Sequence, residues 1–258
     1  YLYCVWVRPP GCAYDIPLAP SWVVGEKLHA VAVLERDAET EAVKLRIVND
    51  ANPRTWKAAK SGESGTIKSS RVIDPFDSAR SWPIESVRGA SGVRRWSKSE
   101  LSPAPGDVFQ ERLYCIRWRK PDGSRVYREP TAHDLRVEER VRALLEARMQ
   151  EWSTAGHIPN AAMPSDGEKT DEPIRTRGWT HWHHLFNPRQ LLTNGLLASL
   201  NEADDPSTQA AWMLGVSRLA NWNSRLSRWH TGKVHDKGED VFSNQALNTL
   251  YNYSCRPL

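Results

Sequence analysis

The feature that most constrains the fold is a change of hydrophobic period near residue 130. Before it, Leu113 to Arg119 is an apolar-rich run, Lys120-Pro121-Asp122-Gly123 is turn chemistry, and Ser124 to Arg128 returns. Proline presets φ, aspartate bonds to local backbone and glycine accepts positive φ, so this stretch reads as a β-hairpin. After it, Val137, Val141, Leu144, Leu145 and Trp152 recur at helical spacing, and Thr131 with Asp134 resembles a capping box. The spacing predicts an amphipathic helix over 131–152, with Glu138 and Arg142 placed for a helical ion pair.

Both sides of that boundary extend the pattern. Leu2 to Val7, Leu28 to Leu34 and Val43 to Val48 read as strands, and Val43, Leu45 and Ile47 alternate with polar neighbours. Glu35 to Glu41 reads as a hairpin loop, and Asn49 to Ser70, rich in Lys, Ser, Gly and Asn, as an exposed connection. Beyond the helix, Ala155 to Arg175 is rich in Pro, Gly and charge and reads as a linker. Asn187-Pro188 is an N-cap followed by a first helical residue, with Leu191, Leu192, Leu196 and Leu200 on one face. A longer helix is expected from about Ser207 to Trp229, and a short one from Gln245 to Tyr253. The expected class is therefore α+β: a β-rich region over 1–130, a helix and linker over 131–175, and a helical segment over 176–258.

Composition excludes a chain disordered throughout: 40% of the 258 residues are hydrophobic, and 35 basic against 31 acidic residues leave a net charge of +4. No apolar run approaches the roughly 18 residues that span a bilayer. The four cysteines, Cys4, Cys12, Cys115 and Cys255, include no C-x-x-C pair, which argues against a disulfide scaffold and for a reducing, cytoplasmic setting. Without an initiator Met, and opening inside an apolar run, the chain reads as an interior piece of a longer protein.

Common catalytic signatures are missing. There is no phosphate-cradling loop, no G-x-S-x-G elbow and no H-E-x-x-H helix. Asp74-Pro75-Phe76 is followed by Asp77-Ser78-Ala79, without the glycines a methyl-donor loop needs for close backbone approach. In Gly178-Trp179-Thr180-His181-Trp182-His183-His184-Leu185-Phe186, adjacent imidazoles rarely aim at one ion. Its aromatic rings either stack bases beside Arg175 and Arg177 or, the favoured reading, pack the start of the next helix. From Lys68 to Arg128 there are 13 basic and 7 acidic residues, as a solvated surface would have.

On the helix expected over 207–229, Arg218, Asn221, Arg225 and Arg228 share one side, opposite Trp212, Val216, Leu219 and Leu226. Such a stripe can follow phosphates, or it can be a solvated face paired with Glu202, Asp204, Asp205 or Glu239.

Several stretches together resemble one family, the bacterial and archaeal DNA methylases that carry a zinc ribbon, adenine-specific in type and often found among phage-defence genes. The residues are Cys12-Ala13-Tyr14-Asp15-Ile16-Pro17-Leu18, then Tyr127-Arg128-Glu129-Pro130-Thr131, then Leu185-Phe186-Asn187-Pro188-Arg189-Gln190-Leu191-Leu192. The most specific run is Arg218-Leu219-Ala220-Asn221-Trp222-Asn223-Ser224, continuing through Arg228-Trp229-His230 to Phe242-Ser243-Asn244-Gln245-Ala246-Leu247. Their order spans nearly the whole chain. The resemblance implies the middle of such an enzyme: a ribbon insert and helices of an interrupted α/β methyltransferase fold, without the donor loop or the Asp-Pro-Pro-Tyr motif, and with no catalytic residue. It also implies S-adenosylmethionine as the full-length protein's cofactor, with DNA and other defence-system proteins as partners. Arg189 joins Arg218, Asn221, Arg225 and Arg228 as expected nucleic-acid contacts. Where the family has C-P-x-C, this chain has Pro9-Pro10-Gly11-Cys12 and Asp74-Pro75-Phe76-Asp77, so a degenerate ribbon without zinc is expected. The expected alternative is a non-catalytic protein-interaction module of a defence complex.

Overall fold

The computed structural model describes residues 1–202, 205–232, 236–241 and 246–256. It is mixed α+β with a β-rich N-terminal half, and the described residues hold six α-helices. None of those helices is long and apolar enough to cross a membrane. Two compact units divide the chain: Tyr1–Val93 with Pro105–Thr131 and Trp229–Lys237, and Arg94–Ala104 with Ala132–Arg228 and Gly238–Leu258.

Through Thr131 the first unit contains ten strands in chain order: β1 (Leu2–Val7), β2 (Ile16–Leu18), β3 (Val23–Gly25), β4 (Ala30–Arg36), β5 (Val43–Val48), β6 (Ile67–Lys68), β7 (Arg71–Ile73), β8 (Ser81–Pro83), β9 (Gln110–Arg119) and β10 (Arg125–Arg128). β1 is apolar at every position because both its faces are covered. It pairs antiparallel with β9 along Leu2–Trp6 and with β2 along Val5–Val7. β9 runs on past β1 and pairs with β10, Ile116 to Arg119 opposite Arg128 to Arg125. A second sheet, β3-β4-β5, turns Val43, Leu45 and Ile47 inward, as their alternation predicts. A third consists of β6, β7 and β8.

The segment expected to be an exposed connection, Asn49 to Ser70, contains a helix, α1 (Pro53–Lys60). Asn52 accepts the Thr55 N–H at 3.0 Å and Pro53 opens the first turn. Ala59 then packs with Val31 and Ala51, a small apolar contact inside a polar sequence. α2 (Ile84–Arg88) completes the unit's helices.

The second unit holds α3 (Ala132–Thr154), α4 (Asp171–Arg177), a 3-10 turn over Trp182–Leu185, α5 (Pro188–Ser199) and α6 (Pro206–Trp222). α4 occupies the end of the stretch expected to be a linker. It is closed by Gly178 in the left-handed conformation (φ 75°), where a Cβ would lie 1.9 Å from the Arg94 carbonyl oxygen. Glu138 pairs with Arg189, not with Arg142, and Arg142 lies 3.8 Å from Glu146. Of the helix expected over 245–253, Gln245 lies outside the described residues. Ala246 to Tyr251 is non-helical and Asn252–Ser254 is extended, because Ser254 spends its backbone on the Ser227 carbonyl (2.9 Å) and the Gln190 amide (3.0 Å).

α3 packs on α5 around Leu101, Leu145, Trp152, Ile158, Leu191 and Leu192. Gly195 allows this approach: a Cβ there would lie 2.5 Å from two ring carbons of Trp152, which is buried. Gly195→Ala should therefore destabilise the chain by about 1–2 kcal/mol in urea denaturation. The overlap costs about 2–3 kcal/mol at contacts this short, which outweighs the gain of up to about 1 kcal/mol in helix propensity.

Candidate nucleic-acid interface

The five residues expected at nucleic acid all belong to the second unit, and the structure separates them. Arg189, in the first turn of α5, ion-pairs with Glu138 of α3 through its Nε (2.8 Å) and Nη2, with side chains only 14% and 24% exposed. Arg218 is exposed on α6, its guanidinium 5.3 Å from the Trp222 ring and 3.9 Å from Asp240. Asn221 is buried, and its Oδ1 and backbone oxygen both accept the Val241 N–H, at 3.0 and 2.9 Å.

α6 stops at Trp222, seven residues short of the expected end, so Arg225 and Arg228 lie off the helix and the stripe does not form. Asn223 leaves helical geometry (φ −139°, ψ 64°) and its Oδ1 accepts the Arg256 N–H at 2.8 Å. Ser224 and Ser227 then close a turn on each other, the Ser224 N–H meeting Ser227 Oγ and the Ser227 N–H meeting the Ser224 carbonyl, each at 3.0 Å. Such short polar side chains compete with the helix for backbone groups. Asn-Trp-Asn-Ser is the sequence signal for that stop.

Arg225 does not face outward. Only 1% exposed, it donates from Nη1 to the carbonyls of His184 (2.8 Å) and Phe186, and from Nη2 to that of Leu101 (3.1 Å). Its guanidinium also lies 5.3 and 5.6 Å from the rings of Trp96 and Trp179. Arg228 is exposed beyond the turn. Phe242 to Gln245 of the resembling stretch lie outside the described residues.

The start of α5 belongs to the same polar frame. Asn187 Oδ1 accepts the Gln190 N–H (2.8 Å), and Gln190 Oε1 accepts the Asn187 N–H in return (2.9 Å). Trp179 sits in a core with Trp96, Met163, Ile174, Leu185, Leu226, Val241 and Leu247, so its ring packs the fold. His183 places Nε2 2.9 Å from the Lys98 carbonyl, and His184 Nδ1 accepts from the Thr180 N–H at 3.1 Å. Burial pushes His183 down to about 4 and His184 down to about 3, so both are neutral near pH 7. Among the described residues no three His, Cys, Asp or Glu converge as a metal site. A cleft of about 520 Å³ opens beside His183, lined by Ser97–Ser99 and by Met149, Gln150, Ser153 and Thr154 of α3.

In the first unit, the residues aligned with the ribbon do not fit zinc. The buried Asp74 accepts the Tyr14 hydroxyl (2.7 Å) and the Phe76 N–H (3.0 Å) on Oδ1, while Oδ2 lies 3.4 Å from Arg80 Nη1. Burial pushes the Tyr14 phenol up to about 12, with the Asp74 bond adding to it, so the phenol stays a donor. Arg80 Nη2 reaches the Gly11 carbonyl (3.3 Å), and Trp82 Nε1 the Pro10 carbonyl (3.1 Å). Asp77 accepts the Ala79 N–H of its own turn (3.1 Å), and burial raises the Cys4 thiol well above its usual range. The two loops are thus joined by the hydrogen bonds Tyr14–Asp74, Arg80–Gly11 and Trp82–Pro10.

No protein-family model, curated protein or solved structure matches this chain.

The polar frame has two measurable consequences. Arg225→Met leaves three carbonyls without a donor and should cost about 3–5 kcal/mol in urea denaturation, and Arg225→Lys should restore little because an ammonium lacks the planar fork. The two histidines bind a proton near pH 6.5 when unfolded, and only near 4 and 3 when folded. Stability should therefore fall as pH drops from about 6.5 toward 3. His184→Asn keeps an acceptor for the Thr180 N–H without a titrating ring, and should flatten that fall in urea midpoints measured across the window.

Proposed function

We propose that this chain is an interior, non-catalytic segment of an S-adenosylmethionine-dependent DNA methyltransferase of the adenine-specific, zinc-ribbon-bearing type. There it supplies scaffold to an interrupted α/β methyltransferase fold and part of the DNA-facing surface. The observation that supports the scaffold role is a set of polar residues along the C-terminal resembling stretches that is buried and bonded inside the second unit. Asn187, Gln190, Asn221, Asn223, Ser224 and Arg225 are all buried and bonded to backbone. Groups used this way position a fold and leave little to touch a substrate. In the parent enzyme S-adenosylmethionine supplies the methyl group, and the target base must leave the duplex to receive it.

A second reading, a protein-interaction module of a phage-defence complex, draws support from α6. That helix exposes Trp212, Met213 and Leu214, the last at 71%, and Arg218 is its only charged residue.

Fluorescence anisotropy with a labelled duplex over a potassium chloride series, together with a labelled-methyl assay, tests the first reading. The chain should bind DNA with affinity falling steeply as salt rises, and should transfer no methyl group by itself. Methyl transfer above background by the chain alone, or absence of DNA binding at low salt, would overturn the reading.

A further inference from the structure

The β9–β10 hairpin combines features that neither its fold nor its stability explains. Its base is fixed. Tyr127 exchanges bonds with Asn49, the Tyr127 N–H to Oδ1 at 3.1 Å and Asn49 Nδ2 to the Tyr127 carbonyl at 2.7 Å. The Tyr127 hydroxyl donates to Asp236 at 2.8 Å, and the ring lies over Gly25, where a Cβ would approach it to 2.4 Å. Arg117 is also committed to the base, donating to the Asp236 carbonyl and lying 5.1 Å from the Trp229 ring.

The tip differs. Trp118 to Arg125 is exposed throughout, and residues 117–128 carry five cations against the single acid Asp122, which accepts the Ser124 N–H of its own turn at 2.8 Å. Arg119 and Arg125 stand directly opposite each other across the strands, a like-charge pairing that weakens a hairpin. Among the described residues neither they nor Lys120 form an ion pair. Trp118, 44% exposed, is the first unit's one exposed large hydrophobic side chain among the described residues. The Arg128 guanidinium lies 4.7 Å from its ring.

A protein-docking patch would gather apolar neighbours around that ring, and this one has cations. Unpaired guanidiniums match phosphate oxygens, a bridging anion relieves the Arg119–Arg125 repulsion, and an exposed indole offers a stacking platform to an unpaired base. We propose that the hairpin tip is a nucleic-acid contact element, with Arg119, Lys120 and Arg125 on backbone phosphates and Trp118 stacked on an unpaired base. The choice of DNA as the strand rests on the function proposed above; the contact chemistry does not.

The test is anisotropy with a labelled 20-nucleotide DNA strand, its RNA counterpart and the DNA duplex, each over a potassium chloride series. Replacing Arg119, Lys120 and Arg125 together by Gln should weaken binding to the DNA strand at least tenfold and reduce the salt slope by about 2, near 0.7 for each phosphate no longer neutralised. Trp118→Ala should weaken single-strand binding roughly 5- to 150-fold with the slope unchanged, and Trp118→Phe should recover most of it. All these side chains are exposed, so unaltered thermal melting distinguishes weakened binding from a damaged fold. If the wild-type chain binds DNA and the triple variant binds it equally, the hairpin proposal is overturned and the methyltransferase reading stands. If the wild-type chain binds only RNA and the variant does not, the hairpin stands and the DNA reading falls. Unchanged nucleic-acid affinity with abolished self-association in sedimentation would assign the tip to a protein contact and overturn the proposal.

Discussion

The second unit depends on one buried guanidinium. An unpaired cation inside a fold is expensive, and Arg225 is tolerated because its donors meet the carbonyls of Leu101, His184 and Phe186 while aromatic faces lie near its plane. Those carbonyls come from distant parts of the sequence: the Arg94–Ala104 segment, the 3-10 turn and the residue after it. Irregular backbone of this kind has no ladder to satisfy it. A single planar fork supplies what regular structure would have supplied, and it holds the backbone that carries His184. The depressed protonation of His183 and His184 is a consequence of burial and of the neighbouring positive charge.

The first unit solves a related problem with a carboxylate. Asp74 is fully buried at its side chain and is kept there by a phenol, a backbone N–H and a guanidinium. Both units thus fasten irregular loops with charge-assisted hydrogen bonds, which are directional and roughly twice as strong as neutral ones.

How much of this is legible in the sequence depends on whether the signal is local. The hairpin is, because Pro, Asp and Gly each act within their own turn; so are the strands at Leu2–Val7 and Val43–Val48 and the Asn187-Pro188 cap. Alternation and capping require no knowledge of partners. α1 escapes a hydrophobic-period reading because its buried face amounts to Ala59 in a polar stretch, although Asn52-Pro53 is the same start signal as Asn187-Pro188. The end of α6 is hidden because apolar spacing through Leu226 continues the helical period, while Asn221, Asn223 and Ser224 use their side chains or backbone on Val241, Arg256 and Ser227. Those partners lie up to 33 residues away, and no window centred on the helix contains them all.

The early end of α6 also relocates the charges able to meet an anion. A spacing of three and four aligns guanidiniums only while the helix lasts, so beyond Trp222 the count of arginines carries no information about a surface. Counterion release requires a cation that is solvated and unspent before the ligand arrives. Arg189 already has Glu138 and Arg225 already has three carbonyls, so neither can be transferred to a phosphate without giving up what it holds. Arg119, Lys120 and Arg125 have no ion-pair partner to give up among the described residues, and they stand on a two-stranded ribbon whose base is locked by Tyr127. The buried polar residues Asn187, Gln190, Asn221, Asn223 and Arg225 and the exposed cations of the hairpin tip are therefore different sets. Bonds inside the second unit hold the first set, and a surface of the first unit carries the second.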